Sequence, residues 1–153
     1  MTIPLSAFEQ ANQARFVPDT TLLVLFGMSK YTHVWTRNGD GELKQALNNI
    51  PHAKQKCEQI KQVIRKYNVK QEDIYGDSNN PTSKQWTDIM SMVSARLRSG
   101  SRMQPPQKYL VLYAFVGNGI VKDGRFCMLI NEYDLSTRYY KMFRAEEKIR
   151  SWA

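Results

Sequence analysis

Cysteine and histidine are scarce, with two of each in 153 residues. Cys57 and Cys127 both fall within apolar patterns, which excludes the dense disulfide framework of small secreted domains and favours a reducing compartment. No Cys-x-x-Cys or His-x-x-x-His spacing occurs, so neither a metal nor any other cofactor is expected. Long apolar runs are missing as well. The longest, 22–28 and 109–116, fall far short of the roughly 20 residues that span a bilayer. Self-similarity at a period of about 20–50 residues, the mark of a repeat protein, is absent. Residues 1–16 lack the basic start and apolar centre of a secretory signal; Leu5, Phe8, Ala11 and Phe16 are spaced for a weak amphipathic helix, but Glu9 and a single Arg15 make a poor mitochondrial presequence. An intracellular, cytoplasmic location is expected, with the mitochondrion as the alternative.

What is present is the composition of a folded domain. Apolar residues make up 42 % and charged residues 24 %, which argues against a disordered tail or a coiled coil. A chain of this length can bury roughly 70 % of its unfolded surface and build one core. The excess of Lys and Arg gives a net charge of +8, suited to nucleic acid, an acidic membrane surface or an acidic protein. The excess is uneven: residues 1–40 are neutral, 41–77 and 119–153 carry +2 each, and 78–118 carries +4.

The continuous apolar and β-branched run that opens at Thr20 predicts a strand covered on both faces, the pattern of a parallel sheet. Ala53, Cys57, Ile60, Ile64 and Tyr67 recur on one helical face, from Pro51 or His52 to Tyr67, with Asn68 as the stop. A brief strand over 72–76 is followed by turn residues 77–81. Thr82 and Gln85 have the spacing of a capping box for a second helix with Trp86, Ile89, Met90, Val93 and Leu97 as its buried stripe. Two prolines break it before the most hydrophobic strand, 109–116. A short strand over 126–131 forms a hairpin after Lys122-Asp-Gly124, and Met142, Ala145, Ile149 and Trp152 mark a last helix. The order β-α-β-α-β, hairpin, helix predicts an α/β sandwich with a mainly parallel sheet, whose chemistry gathers at the carboxyl ends of the strands.

The first strand, the helix after it, and above all Tyr109-Leu-Val-Leu-Tyr-Ala-Phe-Val-Gly-Asn-Gly119 with Lys122-Asp-Gly-Arg125 and Leu129-Ile-Asn-Glu-Tyr-Asp134, resemble the caspase and metacaspase family of cysteine peptidases. The resemblance covers roughly 20–153, the first part of the family's large catalytic subunit, with 1–19 as an N-terminal extension. It implies a caspase-like three-layer sandwich with a C-terminal hairpin. In the family the strand matching 109–116 ends in Gly-His-Gly, whose His is the general base, and a later strand brings the nucleophilic Cys. Here the His position holds Asn118, and the Cys-bearing strand does not follow within 153 residues. An Asn amide cannot take and return a proton near neutral pH, so the base is lost. Gly119 keeps a backbone N–H of the oxyanion-hole type with no developing charge to stabilise. The resemblance also implies that strand 109–116 lies in mid-sheet and that, without the next strand, one sheet edge is open for another chain, a second copy or a displaced segment.

Other residues carry weaker signals. Cys127 sits within a strand rather than in an electropositive turn beside a base, and a structural role is expected. His33 lies in the loop after the first strand and His52 opens the first helix; both read as solvated or locally bonded. Gly117-Asn118-Gly119 matches no phosphate-cradling motif. Glu132, Asp134, Glu146 and Glu147 read as a solvated face. Arg96, Arg98, Arg102 and Lys108 beside Tyr109 form a basic cluster that can dock RNA or an acidic protein. The expected function is a catalytically inactive caspase-like subunit of a larger assembly. The alternatives are a fragment of a cysteine endopeptidase whose nucleophile lies downstream, and a basic subunit of a ribonucleoprotein complex that binds RNA.

Overall fold

The computed structural model describes residues 17–32, 35–37, 39–45, 47–134 and 139–152. The amphipathic pattern within 1–16, and His33, lie outside the described residues. In chain order the elements are β1 (Thr20–Gly27), β2 (Trp35–Arg37), β3 (Leu43–Gln45), α1 (Ala53–Arg65), β4 (Ile74–Asn79), α2 (Ser83–Ser101), β5 (Tyr109–Val116), β6 (Gly119–Lys122), β7 (Arg125–Asp134), β8 (Tyr139–Phe143) and α3 (Ala145–Arg150).

β1 is the centre of the molecule. Leu22, Leu23, Val24, Leu25 and Phe26 are at most 1 % exposed, because helices cover both of its faces. Leu23 and Leu25 pack on Cys57, Ile60 and Ile64 of α1. Leu22, Val24 and Phe26 pack on Met90, Val93 and Trp86 of α2. The run is therefore continuous where a one-sided strand would alternate. β4 and β5 both pair with β1 in parallel, in the order β4-β1-β5. The sequence thus folds as the expected α/β arrangement, a mainly parallel three-stranded sheet with a helix on each face.

The helix starts follow local rules. The Thr82 hydroxyl accepts from the Gln85 N–H at 3.2 Å and the Gln85 amide oxygen accepts from the Thr82 N–H at 2.9 Å, so the capping box closes as its spacing predicts. α1 ends earlier than its apolar spacing suggests. Arg65 is its last residue and Asn68 adopts φ 60, which leaves Tyr67 outside the helix and 74 % exposed. The buried face of α1 instead includes Lys61, only 6 % exposed. Its Nζ lies 2.7 Å from Asp77 Oδ2 and 2.8 Å from Glu58 Oε1. Burial pulls the Lys61 ammonium's pKa down, and the two carboxylates more than reverse it, so it stands above its ordinary value.

Asp77 reaches Lys61 because β4 is longer than expected and is bulged. Leu25 pairs with Gly76, but the next residue of β1, Phe26, pairs with Ser78, so Asp77 is the extra residue. Gly76 turns the chain with φ +88. Residues 77–79, expected as turn, are therefore strand.

Three further differences concern pairings that the sequence did not reveal. The described part of the Gly-rich loop, residues 39–42, leads into the second strand of the short β2–β3 hairpin. The predicted hairpin 119–131 is part of a separate antiparallel sheet, β6-β7-β8. Met142 belongs to β8 rather than to the last helix, which begins at Ala145. Among the described residues, no helix is long and apolar enough to cross a membrane.

Candidate functional site

The carboxyl ends of β1, β4 and β5 meet, and each sends its next residues into one cluster. After β1, the N–H groups of Ser29 and Lys30 both donate to Asn80 Oδ1 at 2.9 Å, and Asn80 Nδ2 donates to Ser29 Oγ at 3.0 Å. Asn80 follows β4, adopts φ 60 and donates its own N–H to Gly27 O at 2.6 Å. One amide side chain therefore ties the ends of two strands together.

After β5 the tie is Tyr31, whose residue is wholly buried. The N–H of Asn118 donates to the Tyr31 hydroxyl at 2.7 Å, and that hydroxyl points on to Leu129 O at 3.4 Å. The other half of this pairing is direct, since Leu129 N donates to Asn118 O at 3.0 Å. The phenol thus stands in for one rung of the β6–β7 ladder. Burial pushes the Tyr31 phenol's pKa up, with the Asn118 N–H acting against it. Tyr31 N in turn donates to Asn49 Oδ1 at 2.8 Å.

Asn118, the residue at the expected general-base position, therefore has its backbone engaged on both sides. Its amide Nδ2 donates to Asn48 O at 3.4 Å. It faces the loop before α1 rather than a thiol. Gly119 follows it and pairs with Met128. Because the 118–129 pair exchanges the ladder bonds, the alternation of antiparallel rungs turns the Gly119 N–H away from β7. A side chain at Gly119 would meet the tip of the half-exposed Phe126 ring, which would have to swing aside to admit it.

Neither cysteine is poised for chemistry. Cys57 is buried beneath Gly27; burial and then the Asp77 carboxylate push its thiol pKa up against Lys61, which keeps it protonated near neutral pH. Cys127 is wholly buried in β7 and its thiol points to Arg125 O at 3.7 Å. His52 is an exposed N-cap residue without a side-chain capping bond. Among the described residues no three His, Cys, Asp or Glu are grouped to hold a metal ion.

The basic cluster is divided among separate roles. Arg96 lies 3.8 Å from Asp73. Arg98 lines a cavity of about 260 Å3 with Lys148, Ser94 and Trp152. Arg102 caps the carboxyl end of α2. Lys108 joins the strand ends, its N–H donating to Asp19 Oδ2 at 2.7 Å. Tyr109 covers Gly100 and donates to Gln107 Oε1 at 2.5 Å.

The acidic residues expected as a solvated face include one structural group. Glu132 of β7 accepts from Ser83 N at 2.9 Å and from Ser83 Oγ at 2.8 Å, placing its charge at the positive end of α2. Glu146 pairs with Arg150, and Glu147 with Arg125 and Arg144; these are surface pairs of little energetic weight. The side chain of Asp134 lies outside the described set. Glu132→Gln keeps an acceptor for Ser83 but loses the charge; an expected cost of about 1 kcal/mol lowers the melting temperature by about 2–4 °C. Calorimetry of the two proteins checks this, and an unchanged transition would mean that the charge contributes nothing.

The most open feature of the site is β5 itself. Lys108 O accepts from Thr20 N, and Val116 O accepts from Met28 N. Peptide groups of even-numbered residues in β5 therefore face β1, and those of Tyr109, Val111, Tyr113 and Phe115 face the other way. Among the described residues no strand pairs with that side. Among the described residues β5 is thus one edge strand of the parallel sheet, as β4 is the other. No family model, no curated protein and no solved structure matches the chain.

Proposed function

We propose that the chain is a catalytically inactive, caspase-like interaction module that joins a larger assembly by accepting a strand along β5. The observation that carries this reading is the row of outward-facing peptide groups at Tyr109, Val111, Tyr113 and Phe115, set in an eight-residue apolar strand. An unprotected edge of this length and composition is a template for strand addition, since each added rung satisfies a main-chain donor and acceptor while the flanking side chains choose the partner. Three placements support the inactive half of the reading. Asn118 stands where the family's base is expected, its N–H is held by Tyr31, and both cysteines are buried.

Val111→Pro tests the edge. Position 111 directs its N–H away from β1, so proline removes an outward donor and leaves the β1–β5 ladder whole. Without its partner the isolated wild-type chain is expected to associate with concentration in sedimentation experiments. The Val111→Pro protein should stay monomeric, with a circular dichroism spectrum like the parent's. A wild-type chain that is monomeric at every concentration and unfolds in one ordinary transition overturns the proposal. Turnover of Arg-, Lys- or Asp-directed peptide substrates by the wild-type chain would overturn its inactive half.

A further inference from the structure

Beside the open edge, on the α1 face of the sheet, lies an apolar groove of about 430 Å3 floored by Ile60, Val63, Ile64 and Val116. Val63 is 52 % exposed and adjoins Ile60, Ile64 and Val116 along the groove. Large apolar side chains left open in a continuous patch mark a surface made to be covered. The rim is charged with one sign. Lys56 lines the groove directly, and at the helical repeat Gln59, Val63 and Lys66 continue the same side of α1 and the turn that ends it. Neither Lys56 nor Lys66 has a carboxylate partner among the described residues. The acidic group of α1, Glu58, is turned to the opposite side, where it serves Lys61.

We infer that this groove receives an acidic amphipathic helix from a partner protein, one whose apolar stripe fills the floor and whose Glu or Asp flanks meet Lys56 and Lys66. This rests on the reading of β5 as an interaction edge and names the chemistry of what lies next to it. Helix-in-groove docking needs apolar anchors at i, i+3, i+4 and i+7, which match the pitch of the facing α1 stripe. Charge selects against a second copy. Such a copy would bring its own Lys56 and Lys66, and its net charge of +8, to the same contact, where like charges are strongly unfavourable.

The probe is a synthetic helical peptide of about five turns with Leu at those positions and Glu on both flanks, alongside a twin in which every Glu is Lys. Fluorescence anisotropy with the full chain should show binding of the Glu peptide, weakening as salt rises, and at least about tenfold poorer binding of the Lys twin. Lys56→Glu combined with Lys66→Glu should reverse the preference between the two peptides. Val63→Asp, at a half-exposed position that leaves the fold intact, should abolish binding. Equal binding of the twins, or binding that survives Val63→Asp, overturns the inference. So does self-association of the chain that Val63→Asp dissolves, because the groove then belongs to a second copy. Val111→Pro should leave peptide binding unchanged. A wild-type chain that binds the Glu peptide but never associates through β5 therefore removes the edge reading alone, and one that associates through β5 but binds both twins equally removes the groove alone.

Discussion

Gly76→Ala is expected to be the most damaging conservative substitution among the described residues, at about 2–5 kcal/mol. Two costs add. Gly76 has φ +88, a conformation that costs a side chain about 1–2 kcal/mol. A methyl group there would also run into the carbonyl oxygen of Leu25 and press on the Phe26 ring. Both neighbours belong to the central strand, which is buried on each face and cannot retreat, so the overpacking penalty of about 1–3 kcal/mol applies. The melting temperature should fall by about 5–15 °C for a domain of this size. Asp77→Gly, at the neighbouring bulge residue with φ 42, keeps the backbone permissive and tests a different thing, the loss of the Lys61 contact. Chemical denaturation of the two variants separates them. If Gly76→Ala unfolds at the parent's midpoint, the bulge is not a constrained feature.

Tyr31→Phe should rank second, at about 1–3 kcal/mol, although it removes one oxygen atom and preserves the ring. The ring packs with Met28, Met128, Leu129 and Ile130 and those contacts survive. What is lost is the acceptor for the Asn118 N–H. A part-buried donor left without its protein partner loses that hydrogen bond and recovers only some of it from water. The consequence is local as well as global: amide exchange at Asn118 should accelerate more than exchange at β1 residues, because only the former loses its hydrogen bond. Uniform acceleration throughout the chain would show that the hydroxyl has no special relation to the loop after β5. Titration offers an independent check. Burial raises the Tyr31 phenol, so its neutral form is the one favoured by folding. Stability from this group is present at neutral pH and declines only as strongly alkaline pH ionises the unfolded chain's tyrosines.

Much of the scaffold was legible because its signals are local. β1 and β5 announce themselves as unbroken apolar runs, the Thr82–Gln85 box sets the start of α2, and the spacing of Ala53, Cys57 and Ile60 sets the buried face of α1. The misses share a physical cause. Lys61 looks like a solvated lysine until Asp77, on another element, supplies its counter-charge. The bulge in β4 depends on where β1 lies. Short strands such as β2 and β3 have too few residues for a period to show. In the candidate site, the place of Asn118 and Gly119 just past the carboxyl end of β5 was readable from the apolar run before them. Tyr31, Asn80 and Glu132 were not, since their partners lie 87, 51 and 49 positions away. The Asn80-Pro81 dipeptide was the one local hint, as a turn signal.

The placement of β1 also sets an order of events during synthesis. Its pairing with β5 joins residues 89 positions apart, the same separation that links Asp19 to Lys108. Its other partner, β4, starts only at Ile74. This apolar strand therefore has no parallel partner until Ile74–Asn79 of β4 has been made after it, and is not enclosed until β5 has followed. Parallel sheets built on such distant contacts fold slowly and pass through states with exposed strands. For this chain the hazard falls on its own central strand, so the yield of folded protein should depend on temperature and chaperone supply more steeply than its final stability would suggest.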